Sequence, residues 1–459
     1  MEHMENNTPE TTKRGLWNFI DNIKGDKVIW IIALLLIIFS VLTIFSSTST
    51  LSDDNRVEIM KSHTGIALIG LGIIIALQGI KRIGWFRVVS QLGFGFTFVL
   101  LTILVLDLDL GFMSAITLNG ARRTIMAFGL QIHVYELAKV AMVMYLAWAL
   151  HAYKHDTFAI ANALSKKKGF EFMGKAFWKR FIYIYTPALI TCAMIAVGSN
   201  SSAIFTFMIL VVVMLMGGVP FKDLLITGAI VVVACGAGYG LHKATDGKFM
   251  PRIETLISRV GANYDTEVLE GLKPRSQEFY NALDKIRQPY GAKVAIHEGK
   301  GIIWGKGIGN STQKYSVTHI YSDYMFSFII EEYGLLGALM ILILYTSLLA
   351  RCSMIIRMCE NEFAKIAIGG LAFLITGQAY LHMLVNVQII PMTGQTLPML
   401  SDGAFAFLTF CVAFGIILSI SKMARAKMKA IEEVEVPMKD DIQATLDIIE
   451  QIDDIEDIR

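Results

Sequence analysis

The chain has 459 residues, of which 54% are hydrophobic and only 17% charged, with a net charge of +2 and a mean hydropathy of +0.55. A soluble chain of this size carries about 25% charged residues, so much of this one meets something other than water. Composition shows no basic patch on a soluble domain, which excludes a nucleic-acid binder.

The first 27 residues are polar and lack the charged, apolar and cleavage regions of a secretory signal. From Val28 the chain turns apolar for about 20 residues, enough to cross a bilayer as an uncleaved helix. Nine further runs follow, near 62–80, 88–106, 134–152, 181–198, 203–217, 224–241, 325–350, 366–388 and 403–421. Each suits a membrane helix, because the bilayer core offers no water to unpaired backbone groups. The fold expected is therefore all-α, a polytopic membrane protein with about ten transmembrane helices. The fifth and sixth runs are separated only by Gly198-Ser199-Asn200-Ser201-Ser202 and should form a tight hairpin.

Lys and Arg in short loops set orientation. The loops at 81–87, 152–180, 218–223 and 351–365 hold 14 of them, against 4 in the loops at 49–61, 107–133 and 389–402. Both termini are thus expected in the cytoplasm, with one long extracytoplasmic loop at about 242–324. The expected domains are a tail at 1–27, a membrane domain at 28–421 and an acidic tail at 422–459. In that last tail Ile442, Leu446, Ile449, Ile452 and Ile455 recur at helical spacing. They read as a short solvated helix or as a docking helix for a cytoplasmic partner. The five cysteines, Cys192, Cys235, Cys352, Cys359 and Cys411, have no CxxC spacing. They fall in the membrane or cytoplasm, where thiols stay reduced. Neither a nucleotide loop nor a dinucleotide fingerprint is present.

Polar residues at membrane depth are costly, so each raises a functional question. Three groups stand out. Asn119-Gly120-Ala121-Arg122-Arg123 leads toward Glu136-Leu137-Ala138-Lys139. Glu136 and Lys139 share a helix face and read as a self-neutralising pair or as part of a site. Arg122 and Arg123 offer forked donors that suit phosphate oxygens, although paired arginines also snorkel to water. Trp304-Gly305-Lys306-Gly307-Ile308-Gly309-Asn310-Ser311-Thr312-Gln313-Lys314 then precedes His319-Ile320-Tyr321-Ser322-Asp323 and Glu331-Glu332. Its glycines allow tight turns with amides turned toward an anion. Asp323 reads first as a helix N-cap and second as a general base for a sugar hydroxyl. Finally, Pro391-Met392-Thr393-Gly394-Gln395-Thr396-Leu397-Pro398, reached from Asn386 and Gln388, reads as a rigid re-entrant turn. Irregular backbone at this depth is tolerated where it is buried in protein or lines a cavity.

Taken together and in this order, these groups resemble the SEDS family (shape, elongation, division and sporulation), which takes in FtsW, RodA and SpoVE. The likeness covers roughly residues 28 to 421, and the PMTGQTLP wording with the polar tails is nearer the FtsW branch. It departs at Thr124, where the family often has Trp, and at His133-Val134-Tyr135 and Gly198–Ser202. A Pro-Glu before the essential Asp is missing, and Ser401-Asp402-Gly403-Ala404-Phe405 replaces Ser-Tyr-Gly-Gly-Ser.

The resemblance implies a peptidoglycan glycosyltransferase of the cytoplasmic (inner) membrane, acting in septal wall synthesis at the division site. Such an enzyme polymerises lipid II into glycan strands on the outer face, with undecaprenyl diphosphate as leaving group. The family's essential acid falls on Asp323 and its cationic positions on Arg122, Arg123 and Lys139. The candidate substrate-binding residues are Arg122, Arg123, Glu136, Lys139, Trp304, Lys306, Ser311, Gln313, Lys314, Thr393 and Pro398. Implied partners are lipid II, the growing strand, a class B penicillin-binding protein (the transpeptidase) and other divisome proteins, with no nucleic acid. A divalent metal ion, Mg or Mn, is implied without identifiable ligands, and no nucleotide or organic cofactor. The alternatives carried are a RodA-like elongation polymerase, a lipid II flippase, and a scaffold without activity.

Overall fold

The computed structural model describes residues 25–48, 53–118, 121–127, 130–244, 269–274, 276–301, 303–318 and 320–425. The polar N-terminal tail, His319, Asn119, Gly120 and the acidic tail with its isoleucine stripe lie outside the described residues.

The helices are α1 (Lys27–Ser47), α2 (Asp53–Gln78), α3 (Ile83–Leu106), α4 (Val134–Lys154), α5 (Ala176–Gly198), α6 (Asn200–Met216), α7 (Phe221–Ala244), α8 (Gln277–Lys300), α9 (Met325–Met358), α10 (Glu362–Asn386) and α11 (Ala404–Arg425). Eight have segments long and apolar enough to cross a membrane, by length and composition. With α4, which carries Glu136 and Lys139, and the 17-residue α6, they match the ten apolar runs. The hairpin is as tight as expected. α5 ends at Gly198, and Ser199 caps α6 with its Oγ accepting from Ser202 N–H at 3.3 Å.

The centre of the bundle is α4, α10 and α11, which bury most of their length. The outward faces are apolar, as at Leu68, Leu92, Val232 and Val233, each well over half exposed. In water such a surface would be an aggregation liability, whereas in lipid it is ordinary solvation. α7 packs least, with 12% of its apolar window buried.

Two features depart from ten helices joined by plain loops. Residues 107–133 are not a plain loop. They form an antiparallel sheet of β1 (Met113–Leu118), β2 (Ala121–Ala127) and β3 (Leu130–His133), in the order β1-β2-β3. Ile125 and Ala127 of β2 pack with Val134, Tyr135 and Ala138 of α4 and with Leu100, Leu101 and Leu104 of α3. The sheet thus lids the ends of α3–α6. Second, the long loop is more than a solvated connection, because it holds α8, which runs through Pro289 and packs along α9.

α9 is broken near its start. Gly334 sits at φ 66°, ψ −163°, a region open essentially to glycine. The break presents the backbone of Glu331 and Glu332 to the glycine-rich loop, which pairs with it: Lys306 N–H donates to Glu331 C=O and Gly307 N–H to Glu332 C=O, both at 2.9 Å. A Cβ on Gly305 would fall against Gly334 N and the Glu332 carbonyl. At the opposite end of the bundle, buried Asp26 caps α1 and receives Arg351 Nε at 2.8 Å and Arg425 Nη2 at 2.7 Å. One carboxylate therefore ties α1, α9 and α11 together.

Candidate active site

The first polar group is built on α4. The Lys139 side chain is 1% exposed. Its Nζ donates to Glu136 Oε1 at 2.8 Å, Gln378 Oε1 at 2.6 Å and Gln395 Oε1 at 3.0 Å. An ammonium has three protons, and here each has an oxygen. Gln395 Nε2 in turn donates to Ser202 Oγ at 2.7 Å, and Gln378 Nε2 to Thr396 C=O at 3.2 Å. Lys139 thus joins α4, α6, α10 and the PMTGQTLP turn. In this arrangement its protons serve the protein, so direct donation to a substrate oxygen requires exchange of one of these partners.

Arg122 and Arg123 lie in β2. Arg122 pairs across the sheet with Thr117, and the following Thr124 pairs with His133, which leads into α4. The register therefore brings the backbone of both arginines to the Glu136 end of α4. The Thr124 hydroxyl is buried without a hydrogen-bond partner among the described residues, as is that of Thr393 in the PMTGQTLP turn.

The glycine-rich loop does bind an anion with its amides, but the anion is the protein's own. Thr312 N–H donates to Glu331 Oε1 at 2.7 Å, and Gln313 N–H does so at 3.3 Å. Gly309 N–H and Ser311 N–H donate to Glu332 Oε1 at 3.1 and 3.3 Å. Ser46 Oγ of α1 reaches Glu332 Oε2 at 2.6 Å, and Ser311 Oγ reaches Glu331 Oε2 at 2.5 Å. Lys306 Nζ pairs with Glu331 at 2.8 Å and with Glu298 of α8, while Lys314 Nζ donates to Gly309 C=O at 2.6 Å. Lys306, Ser311 and Gln313 are therefore placed as fasteners of the loop onto α9, and Lys314 as a brace within the loop. Trp304 is 73% exposed at the loop's start. Pro398 lends its carbonyl to the buried Tyr345 hydroxyl.

Asp323 immediately precedes the N-cap of α9. That cap is Tyr324, and it makes no side-chain cap hydrogen bond. The N-cap reading of Asp323 is thereby displaced. The first amides of α9 find acceptors on α10 instead: Ser327 N–H on Asn386 Oδ1 at 3.0 Å, and Phe326 N–H on His382 Nε2 at 3.4 Å. The Asp323 carboxylate accepts from Ser322 Oγ at 3.3 Å. Beside it runs the segment that departs from the family wording. Asp402 N–H donates to Tyr321 C=O at 2.9 Å, and Ser401 Oγ donates to Ser322 C=O at 2.9 Å. Burial first, then the charges of Asp402 and Asp323, push the Tyr321 phenol above its ordinary range. Both carboxylates are thus within electrostatic reach of one ring. Sequence reading singled out neither Asp402 nor His382 as a site residue. The signal available was an acidic residue and a histidine beside membrane helices.

Among the described residues, no three His, Cys, Asp or Glu side chains come together to hold a metal ion. Among those residues the donor set does not fit a metal held by three such ligands, and no step is assigned to one.

This architecture is that of a polytopic membrane protein with a polar site where irregular loops meet the ends of a helical bundle. The chain belongs to the FtsW/RodA/SpoVE family of cell cycle proteins, whose model matches residues 26–426. It is 27% identical over 401 residues to the probable peptidoglycan glycosyltransferase FtsW of Pseudomonas fluorescens, covering 85% of each chain. It is 25% identical over 314 residues to the protein of that name from Coxiella burnetii, covering 66% of this chain and 72% of the relative. Among solved structures it is similar to a chain of a peptidoglycan synthase complex, with TM-score 0.58, 20% identity and coverage of 87% and 98%. It is also similar to the rod shape-determining protein RodA of Thermus thermophilus, with TM-score 0.52, 16% identity and coverage of 88% and 98%. At those identities the likeness to solved structures carries the fold.

Proposed function

We propose that this chain is a peptidoglycan glycosyltransferase that polymerises lipid II on the outer face of the cytoplasmic membrane, in septal wall synthesis. Family membership and the naming of its relatives support the reaction class. The observation that carries the site is Asp323: a carboxylate at the mouth of α9 whose capping duty is taken over by α10. In this reading Asp323 takes the proton of the acceptor GlcNAc 4-hydroxyl as that oxygen bonds to the anomeric carbon of a donor MurNAc. The bond from that carbon to the diphosphate breaks, and its electron pair leaves with undecaprenyl diphosphate. The configuration inverts, and Asp323 afterwards returns its proton to water. Arg122 and Arg123 stabilise the charge that builds on the leaving group, with the Glu136–Lys139 pair in the adjoining wall. The buried Thr393 hydroxyl offers a donor for substrate. A class B penicillin-binding protein is the proposed partner, supported by the likeness to a synthase-complex chain.

The test is polymerisation of fluorescent lipid II by the purified protein with its penicillin-binding partner, with moenomycin present to silence polymerases of the other class. Long glycan products from wild type and none from Asp323→Ala support the reading. Equal products from both sink the role of Asp323. If neither makes product while both bind lipid II, transport or scaffolding takes its place.

A further inference from the structure

The geometry points to His382 and Asn386 as positioning residues that hold Asp323 for its reaction, an inference that rests on reading Asp323 as the base. They are four apart on α10, hence on one face, and both are almost completely buried, at 1% and 0% exposure. Asn386 divides its carboxamide between two jobs. Its Oδ1 accepts from Ser327 N–H at 3.0 Å and Ser327 Oγ at 2.9 Å, fixing the start of α9. Its Nδ2 donates to the carbonyl of Asp323 at 3.1 Å and to that of His382 at 2.9 Å. Every hydrogen-bonding position that a buried amide most needs is filled, and one of them is the backbone of the proposed base.

His382 works on the other side. A backbone N–H can only donate and a carbonyl can only accept. With Phe326 N–H at 3.4 Å from Nε2, and Gln395 C=O at 2.8 Å from Nδ1, the ring must be neutral with its proton on Nδ1. His382 therefore links the start of α9 to the PMTGQTLP turn. Gln395 of that turn also accepts from Lys139, so one chain of contacts runs from Lys139 to Asp323. The pair replaces the missing side-chain cap of α9 and at the same time fixes the peptide that carries Asp323. A displacement of that peptide by about 1 Å is enough to cost about 10²-fold in rate.

The experiment compares steady-state lipid II polymerisation by full-length wild type, Asp323→Ala, Asn386→Ala and Tyr380→Phe, each with its partner. Tyr380→Phe is the control. It removes a hydrogen bond between α9 and α10, from the Tyr380 hydroxyl to Thr346 at 2.8 Å, on the face of α10 turned away from His382 and Asn386. Asn386→Ala should lower kcat about 10²-fold with KM for lipid II held within about twofold, while Tyr380→Phe keeps the wild-type kcat. Wild-type kcat in Asn386→Ala overturns the inference, and so does an equal fall in Tyr380→Phe, which would mean that helix adhesion alone matters. Should Asn386→Ala fail to fold, Asn386→Leu decides, because it keeps the side-chain volume and has no donor for the Asp323 carbonyl. A wild-type kcat there is equally fatal. Full activity in Asp323→Ala would instead fault the underlying assignment of the base, so the two failures are distinguishable.

Discussion

Lys306 Nζ stands 2.8 Å from Glu331 Oε1, a carboxylate whose side chain has no exposed surface, and the same ammonium also pairs with Glu298. This contact fastens the glycine-rich loop to the broken start of α9. Removing Lys306 withdraws the ammonium from the buried Glu331 and leaves it the Ser311 hydroxyl and the amides of Thr312 and Gln313, so the cost is that of one hydrogen bond to a charged group, about 1.5–3 kcal/mol. Lys306→Ala should therefore expose residues 303–318 to limited proteolysis and lower the thermal midpoint. An unchanged cleavage rate would mean that the amide contacts alone hold the loop.

The same fastener has a pH window. The hydrogen bond from Lys306, more than burial opposes it, holds the Glu298 carboxyl below its ordinary value near 4.5. Its contribution is present above pH 4.5 and is lost as pH falls through the lowered value. Lys306 is raised above its ordinary 10.5, burial being outweighed by Glu298 and Glu331. Its contribution is complete below 10.5 and is lost as pH rises through the raised value. Proteolytic protection of the loop should be flat between those limits and fall outside both.

At the other end, Asp26 combines a helix cap with two guanidinium contacts. Asp26→Asn keeps an oxygen for the cap and loses the charge, whereas Asp26→Ala loses both. A lost cap is worth about 1 kcal/mol. Asp26→Ala should be the less stable of the two in detergent by roughly that amount. The order would be reversed only if the arginines tolerated a void better than an amide.

Gly334 gives a sharper prediction about strain. Its φ of 66° and ψ of −163° are not accessible to alanine without cost, about 1–3 kcal/mol. Gly334→Ala should destabilise the loop and α9 together, seen as coupled losses in hydrogen-exchange protection at 305–314 and 325–333. Loss in only one segment would show that the break and the loop fold independently.

Much of this arrangement is legible in the sequence, and the remainder has identifiable causes. Ten apolar runs register because lipid demands about 20 apolar residues per helix, and the Glu136–Lys139 contact registers because i,i+3 spacing is local. The sheet at 113–133 escapes because MSAITL, ARRTIMA and LQIH are short and two arginines interrupt the alternation. The glycine-rich loop is recognisable as an anion cradle, but its anions, Glu331 and Glu332, lie about 20 residues on and are brought in by tertiary folding. Asp323 looks like a cap because aspartate usually is one. What relieves it, Asn386 and His382, sits some 60 residues away on another helix. Local pattern reveals elements and pairs within a turn, whereas the identity of a carboxylate's partners depends on the packed bundle.

The central claim is tested most directly by the initial rate of lipid II polymerisation in Asp323→Asn, an isostere that cannot take the proton, with lipid II binding measured in parallel. A positioned base contributes about 10² to 10⁴ in rate, so the rate should fall by that factor while binding stays within about twofold of wild type. A wild-type rate in Asp323→Asn, with binding intact, would contradict the assignment of Asp323 as the base.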